Sequence, residues 1–352
     1  MSRARDFADL AGTSSTDLIN QGRNLIINGA CAIDQRNGGA AITGSGYVVD
    51  RFHYQNDSDA TLSLQQNSTV PDNFANSISV TVSTADASVG AAQYSMMTQR
   101  IEGYNIANLG WGTSAAKAVT LSFYVRSSVT GTFGGVLNNS DSSRSYPFTY
   151  SISSADTWEK KTITVEGDTS GTWNNTNSSG IQLRWAFGMG STYTGTAGSW
   201  SGNLYFGASG AVDLISTLNA TWYITGVQLE VGETATPFEH EDYGTTLRKC
   251  QRYYEKSYNQ SVTPGTATNP GLVIVYNGGG FGAMGGFRFA VTKRATPTMT
   301  GYNESGTSGQ WGYPGGSGAV TLGDTNETGV RYIQVSGTTG PANGHFVADA
   351  EL

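Results

Sequence analysis

Aromatic side chains in polar, glycine-rich stretches are the residues of this sequence best suited to contact a ligand. Five such side chains occur: Trp111 in NLGWGTS, Trp173 in GTWNNTN, Trp200 in GSWSGN, and Trp311 with Tyr313 in GQWGYPGG. An exposed ring offers a flat apolar surface to the face of a sugar, and a neighbouring Asn174 or Gln310 can contact hydroxyl groups. The same rings could instead lie beneath their loops or between subunits, and the sequence leaves both interpretations open.

No catalytic or metal-binding motif accompanies these rings. The sequence has three histidines, and none has a second ligand at a metal-binding spacing; they are His53, His240 and His345. The pattern G-x-G-x-x-G from Gly280 to Gly285 is followed by the strand-like FRFAVT, whereas a dinucleotide loop requires a helix there. A hairpin connection is the better interpretation. We therefore expect no enzyme, no cofactor and no metal site, although paired carboxylates from distant strands would escape this reasoning.

Composition narrows the class of protein further. Charged residues make up 13% of the 352 residues, the net charge is -7, and glycine occurs 47 times. No basic stripe is present, so we expect no nucleic-acid binding. The N-terminal stretch MSRARDFADLAG has no apolar core of a signal peptide, and no run of about 18 apolar residues predicts a membrane span. The two cysteines, Cys31 and Cys250, are expected to be separate buried thiols.

Alternating apolar residues predict an all-β protein before residue 240. One face of AVTLSFYVRS carries Val119, Leu121, Phe123 and Val125, and one face of IQLRWAFGM carries Ile181, Leu183, Trp185 and Phe187. Strand signals also cover Asn24 to Arg36. In TWYITGVQLEV we expect Tyr223, Val227, Leu229 and Val231 to share a face. Long Gly/Ser/Thr/Asn loops between such strands are typical of a β-sandwich.

The pattern changes once, after Pro237, which cannot donate to a β-ladder. Beyond it, four residues fall on one face of a predicted linking helix; they are Tyr243, Leu247, Cys250 and Tyr254. We expect this helix to begin near Thr245, because Gly244 would cost about 1 kcal/mol inside a helix. Its apolar stripe must pack against the sandwich or against another copy of the chain, so the four residues are candidates for an oligomer interface.

Strand signals return after the helix in GLVIVYN, GGFRFAVT, TPTMTGYN, GVRYIQVSG and GHFVADAEL. They predict a second, smaller β domain. The predicted organisation is an N-terminal segment 1–23, a sandwich 24–240, a linking helix 241–258 and a C-terminal β domain 259–352. Phe7 and Leu10 are three residues apart in the polar N-terminal segment, and we expect this segment to order only on a partner.

Two long motifs resemble modules of bacteriophage tail fibre and appendage proteins, notably of marine and cyanobacterial phages. GRNLIINGACAIDQRNGGA followed by YVVDRFHY is similar to the opening of such a module, and WYITGVQLEVGETATPFEHEDYGTTLRKCQRYY to its close and the following helix. The termini MSRARDFADL and ANGHFVADAEL resemble those of such virion proteins. The module is in turn similar to jelly-roll carbohydrate-binding modules, in which NLIxNG pairs near the strand that corresponds to WYITGVQLE.

The resemblance implies a non-enzymatic virion subunit made in the cytoplasm of a bacterial host. It implies a homotrimer that attaches to other virion proteins through its N-terminal segment, with Phe7 and Leu10 as anchoring candidates. It also implies host attachment through surface glycans, with the five loop aromatics as receptor-binding candidates. A purely structural virion subunit, such as a capsid decoration or a tail adaptor, is the alternative, and a depolymerase is a third. Some related jelly rolls hold a structural calcium, but its ligands do not map cleanly onto this chain.

Overall fold

The computed structural model describes residues 22–276, 283–338 and 340–352. Its first part contains thirteen strands, which are β1 Gly46–Val49, β2 Phe52–Asn56, β3 Thr61–Asn67, β4 Ser77–Thr84, β5 Tyr94–Glu102, β6 Val119–Ser127, β7 Gly131–Asn138, β8 Ser145–Ile152, β9 Glu159–Val165, β10 Ser179–Met189, β11 Thr194–Gly195, β12 Gly207–Ala208 and β13 Thr221–Val231. Six of them form one sheet in the order β1-β2-β5-β10-β7-β8, and five form a second sheet in the order β3-β4-β13-β6-β9. The two sheets make the predicted jelly-roll sandwich.

The core lies between the two sheets and is rich in aromatic rings. Phe123 of β6 meets Trp185 of β10 with ring centroids 5.9 Å apart, and Phe187 meets Trp222 of β13 at 5.1 Å. The apolar faces predicted for β6 and β10 are buried throughout. Alternation identified these faces correctly because successive side chains of a strand point to opposite sides of a sheet.

A β-bulge in β13 makes the predicted face of that strand wrong. The pairing of β13 with β6 shifts between Thr225 and Gln228, and Gly226 between them has φ 61°. Trp222 and Ile224 are therefore buried before the bulge, and Val227 and Leu229 after it. An extra residue reverses the alternation.

The predicted strand from Asn24 to Arg36 is also wrong, because hydrogen bonds from asparagine side chains hold this segment in place of β-ladder hydrogen bonds. The Asn28 amide donates to the carbonyls of Ile33 and Asp50 at 2.9 and 3.0 Å, and φ is positive at Asn28 and at Cys31. The placement implied by the resemblance is nevertheless confirmed. The Leu25 N–H donates to the Leu229 carbonyl of β13 at 2.9 Å.

Helix α1 spans Tyr243–Gln251 and is shorter than the predicted helix 241–258. It begins before Thr245 because Asp242 caps it, accepting a hydrogen bond from the Thr245 N–H at 2.9 Å. Gly244 then lies in the first turn, where its cost is smaller than in the interior. The helix ends at Gln251 because Tyr254–Lys256 forms a strand, β14, that pairs with the last strand of the chain, β21 Ala342–Asp349.

A second sheet system follows the helix. Its strands are β14 Tyr254–Lys256, β15 Val273–Val275, β16 Ala283–Arg288, β17 Thr298–Tyr302, β18 Gln310–Tyr313, β19 Gly316–Gly323, β20 Gly329–Val335 and β21 Ala342–Asp349. The order is β14-β21-β18-β19-β20-β16, and β15 and β17 also pair with β21. β21 therefore pairs with four of the other strands of this sheet. Sequence patterning missed β18 and β19, whose glycines obscure the alternation.

Two further findings bear on the class of protein. None of the helices within the described ranges has the length and apolarity that crossing a membrane requires. Both cysteines are buried and free, as predicted. Burial raises the pKa of the Cys31 thiol to about 12, which makes this thiol unreactive at neutral pH.

Candidate functional site

Three of the five predicted aromatic residues, far apart in sequence, come together in the sandwich. The ring centroids of Trp111 and Trp173 are 4.6 Å apart, and Trp200 lies 5.4 Å from each of them. The ring planes meet at 76–81°, the edge-to-face arrangement that aromatic quadrupoles favour. Tyr146 of β8 adds a fourth ring at 5.2 Å from Trp200. We call Trp111, Trp173, Trp200 and Tyr146 the tryptophan cluster.

Each indole of the cluster is held by a backbone carbonyl of a loop. The Trp111 N–H donates to the Lys117 carbonyl at 2.7 Å, within the loop between β5 and β6. The Trp173 N–H donates to the Ser170 carbonyl at 3.2 Å, in the loop between β9 and β10. The Trp200 N–H, between β11 and β12, donates to the Glu166 carbonyl at 2.8 Å. These hydrogen bonds satisfy the polar end of each ring, and the one from Trp200 joins its loop to the loop that follows β9.

Glycine permits the close approach of two of these loops. Gly112 has φ 83°, and its N–H donates to the Asp168 carbonyl at 2.7 Å. A Cβ at this position would lie 2.8 Å from the Gly171 carbonyl oxygen and 3.3 Å from the Trp173 ring. Any larger residue would therefore separate the Trp111 loop from the Trp173 loop.

An ion pair lies beside the cluster. Arg144 donates from Nε to Asp168 Oδ2 at 2.7 Å and from Nη2 to Oδ1 at 2.8 Å. Asp168 is buried, and its hydrogen bond raises the pKa of Arg144. Gly171 passes over the arginine stem, where a Cβ would lie 2.4 Å from Cγ. Sequence patterning carries no signal for this pair, because 24 residues separate its partners.

The cluster is only partly accessible. Trp111 is 6% exposed and belongs to the sandwich core, so its ring lies beneath its loop and offers no face to a ligand. Trp173 and Trp200 are half-buried and pack against that core. The surface that a sugar could contact therefore comes from Trp173 and Trp200, with Trp111 as their support.

Trp311 and Tyr313 lie elsewhere, on β18 of the sheet system that follows helix α1. Trp311 is completely buried, and its N–H donates to the His345 carbonyl at 3.0 Å. A Cβ on Gly344 would lie 2.2 Å from the indole, so the glycines near this ring make space for it in a core. The interpretation of Trp311 as an exposed loop residue is wrong. Tyr313 is half-buried and packs against the same core.

Two of the four residues of the predicted oligomer stripe are internal. Cys250 and Tyr254 are buried within one chain, and Arg36 of the sandwich lies 3.7 Å above the Tyr254 ring. These two residues are therefore wrong as interface candidates. Leu247 is half-buried, and Tyr243 is 53% exposed. Phe7, Leu10 and part of the Gly280–Gly285 motif lie outside the described residues.

Comparisons with known proteins give only distant similarities. No protein-family model matches the sequence, and no curated protein matches it. Similar solved structures include the enzymatically active domain of tailspike protein 4 of bacteriophage CBA120, at 11% identity and a TM-score of 0.34. The match covers 60% of this chain and 22% of that one, so this chain matches only a minor part of the tailspike structure.

Two carbohydrate-binding modules are also among the similar structures. A family 11 module of Clostridium thermocellum, in complex with a mixed-linked tetrasaccharide, has 9% identity and a TM-score of 0.29, over 56% of this chain and 99% of that one. A xylan-binding CBM22-2 domain of Paenibacillus barcinonensis has 14% identity and a TM-score of 0.28, over 51% of this chain and 91% of that one. At these values the similarities assign no ligand to this chain, and the site is interpreted from its own geometry.

Proposed function

We propose that this chain is a glycan-binding subunit of a bacteriophage appendage, and that Trp173 and Trp200 form its contact surface. The observation that carries the proposal is the convergence of indoles from three separate loops into one partly exposed cluster. A rigid ring gives a large apolar contact with little loss of side-chain entropy, and Arg144 beside it is a hydrogen-bond donor for hydroxyls. The proposal concerns binding and assigns no catalysis.

The virion role is supported by the resemblance of the two long sequence motifs to phage fibre modules. On that basis we propose location on the phage particle, attachment through residues 1–23, and a homotrimer. Deletion of residues 1–22 should leave the fold intact and abolish incorporation into particles. Assembly of the truncated chain into virions would contradict the attachment proposal.

A trimer would also explain how a weak site can function. Ring stacking on a base is worth about 1–3 kcal/mol, and we take stacking on a sugar to be no stronger. Linking several copies raises avidity by about 10²–10⁴. Mass photometry of purified protein tests the stoichiometry. Of the two remaining interface candidates, Leu247 and Tyr243, Tyr243 is the more exposed, and Tyr243→Arg should then favour monomers.

The binding proposal is tested by adsorption to host cells and by a glycan array. Trp173→Ala, Trp200→Ala and the double variant should each lower binding, with the largest loss in the double variant. Trp158→Ala is the matched control, because Trp158 is also half-buried but contacts Tyr223 on the second sheet of the sandwich. Melting curves check that each variant is folded. Unchanged adsorption of the folded double variant would exclude the cluster as the binding surface.

One observation favours the structural alternative. All three indole N–H groups donate to backbone carbonyls, and the bond from Trp200 to Glu166 joins two loops, so the rings also have a structural role. If the cluster has only that role, Trp173→Ala and Trp200→Ala will lower the melting temperature and leave adsorption unchanged. A depolymerase would instead cleave host polysaccharide and release reducing ends. The supernatant of the adsorption experiment can be assayed for these reducing ends.

A further inference from the structure

Arg144 lies beside both loops that carry the accessible rings of the tryptophan cluster. Gly171 precedes Trp173 in one loop and passes over the arginine stem, where a Cβ would lie 2.4 Å from Cγ. Gly202 follows Trp200 in the other loop, and a Cβ there would lie 4.0 Å from Arg144 Nη1. The guanidinium therefore stands next to the surface on which a sugar would stack.

One nitrogen of this guanidinium is free to contact a ligand. Nε and Nη2 both donate to Asp168, whose side chain is 2% exposed. Nη1 donates to none of the described residues, and it is not a buried atom, since the Arg144 side chain is 19% exposed. Because Asp168 fixes the guanidinium, Nη1 is a donor of fixed direction, and a ligand would order little more of the side chain.

The charge of Arg144 is balanced within the protein. The cluster is surrounded by the loops between β5 and β6, β7 and β8, β9 and β10, and β11 and β12. These loops carry two cations, Lys117 and Arg144, and three anions, Asp141, Glu166 and Asp168, so their net charge is -1. Lys117 stands on the loop of Trp111, whose ring is buried and offers no face to a ligand.

Glu166 places a carboxylate beside the cluster. Its backbone carbonyl accepts the Trp200 N–H at 2.8 Å, and its side chain is exposed. Burial and the nearby Glu166 carboxylate raise the pKa of Tyr146, the fourth ring of the cluster. A negatively charged ligand on Trp200 would therefore meet a negative charge that belongs to the protein.

We propose that the tryptophan cluster selects neutral saccharides over acidic ones, with Arg144 Nη1 donating to a sugar oxygen and Glu166 repelling carboxylates. This inference rests on the proposed glycan binding and adds the charge class of the glycan. A hydroxyl oxygen can accept from Nη1 without carrying charge. An acidic sugar would find the guanidinium already neutralised by Asp168, and like charges across an interface oppose binding.

The test uses the full-length protein at low ionic strength, where charge effects are largest. The probes are surface polysaccharide of the host, separated by anion exchange into a neutral and an acidic fraction. The neutral fraction should bind more tightly, and the double variant Trp173→Ala/Trp200→Ala should lose this binding. Equal or tighter binding of the acidic fraction that still requires the two rings would overturn the inference and leave the proposed function standing. Binding of neither fraction, or binding independent of the rings, would contradict both.

Glu166→Gln tests the repulsion, because it removes the carboxylate and keeps the carbonyl that holds Trp200. It should strengthen binding of the acidic fraction about threefold, the effect of one charge about 6 Å away in water, and leave the neutral fraction unaffected. Glu327→Gln is the matched control, because Glu327 is also exposed and its carbonyl also accepts a hydrogen bond, from the Lys293 N–H at 2.8 Å. Equal affinities of these two variants for the acidic fraction would refute the role of Glu166.

Two further variants test the contact from Nη1. Arg144→Gln with Asp168→Asn removes both charges together, so that neither is left buried without its partner. Arg144→Lys keeps the charge beside Asp168 but lacks Nη1. Each variant, with its fold checked by a melting curve, should bind the neutral fraction about fivefold more weakly, the contribution of one hydrogen bond. Binding like the parent by both folded variants would show that Arg144 does not contact the glycan.

Discussion

Arg252 donates two hydrogen bonds to Glu102, from Nε at 2.8 Å and from Nη2 at 2.6 Å. The Tyr253 hydroxyl donates to the same carboxylate at 2.6 Å. Glu102 ends β5 of the sandwich, whereas Arg252 and Tyr253 follow α1. One buried carboxylate thus connects the sandwich to the chain that leads into the second sheet system.

Glu102→Gln should therefore destabilise the protein. The Glu102 side chain is 1% exposed, and the substitution replaces a charge-assisted acceptor pair by a weaker one. We expect a loss of about 3 kcal/mol in the free energy of unfolding, near the lower end for a broken buried pair, because Arg252 can partly reach water. Urea denaturation at neutral pH measures this loss. A change within experimental error would show that the ion pair contributes no net stability.

The same carboxylate should make stability depend on acidity. Burial alone would raise the pKa of Glu102, but hydrogen bonds from Arg252 and Tyr253 hold this pKa below its ordinary value. Its contribution is therefore present above the ordinary glutamate pKa of about 4.3 and is lost as pH falls through the lower folded value. The difference in unfolding free energy between parent and Glu102→Gln should shrink on acidification. A difference that stays constant with pH would contradict this assignment.

Trp111 and Trp173 should differ in their effect on stability. Trp111→Ala empties a buried site in the sandwich core and should cost about 3–5 kcal/mol. Trp173→Ala removes a half-buried ring and should cost less, about 1–2 kcal/mol. Thermal and urea unfolding of the two variants measure the costs. Equal losses would mean that the two rings are equally buried in solution.

The buried Lys256 side chain should make stability depend on pH at alkaline values as well. Burial lowers the pKa of Lys256 to about 8, against 10.5 for an ordinary lysine. Between these values the unfolded chain binds more protons, so the unfolding free energy of the parent should rise with pH relative to Lys256→Met. Denaturation of both proteins at several pH values from about 7 upwards measures the difference. A flat difference over that interval would show that the folded protein does not lower the pKa of Lys256.

The local sequence was sufficient to predict a strand and its buried face wherever that face packs against one core along its whole length. The apolar faces of β6 and β10 and the position of helix α1 followed from periodicity, because period 2 and period 3.6 are local properties. The opening motif was placed beside β13 by resemblance. The candidate rings Trp111, Trp173 and Trp200 were also recognisable from the sequence. Each stands in a polar, glycine-rich stretch that lacks the apolar alternation of a core strand.

Tertiary packing decided what these local signals could not. The bulge at Gly226 reversed which face of β13 is buried after it. The glycines near Trp311, which suggested an exposed loop, instead make space for its ring inside the core of the C-terminal sheet system. The meeting of three tryptophans and the pairing of Arg144 with Asp168 depend on loops that only the folded sandwich brings together. Such contacts join residues distant in sequence. Their formation depends on which strands pair and how closely loops can approach, and neither property is encoded in a short stretch of residues.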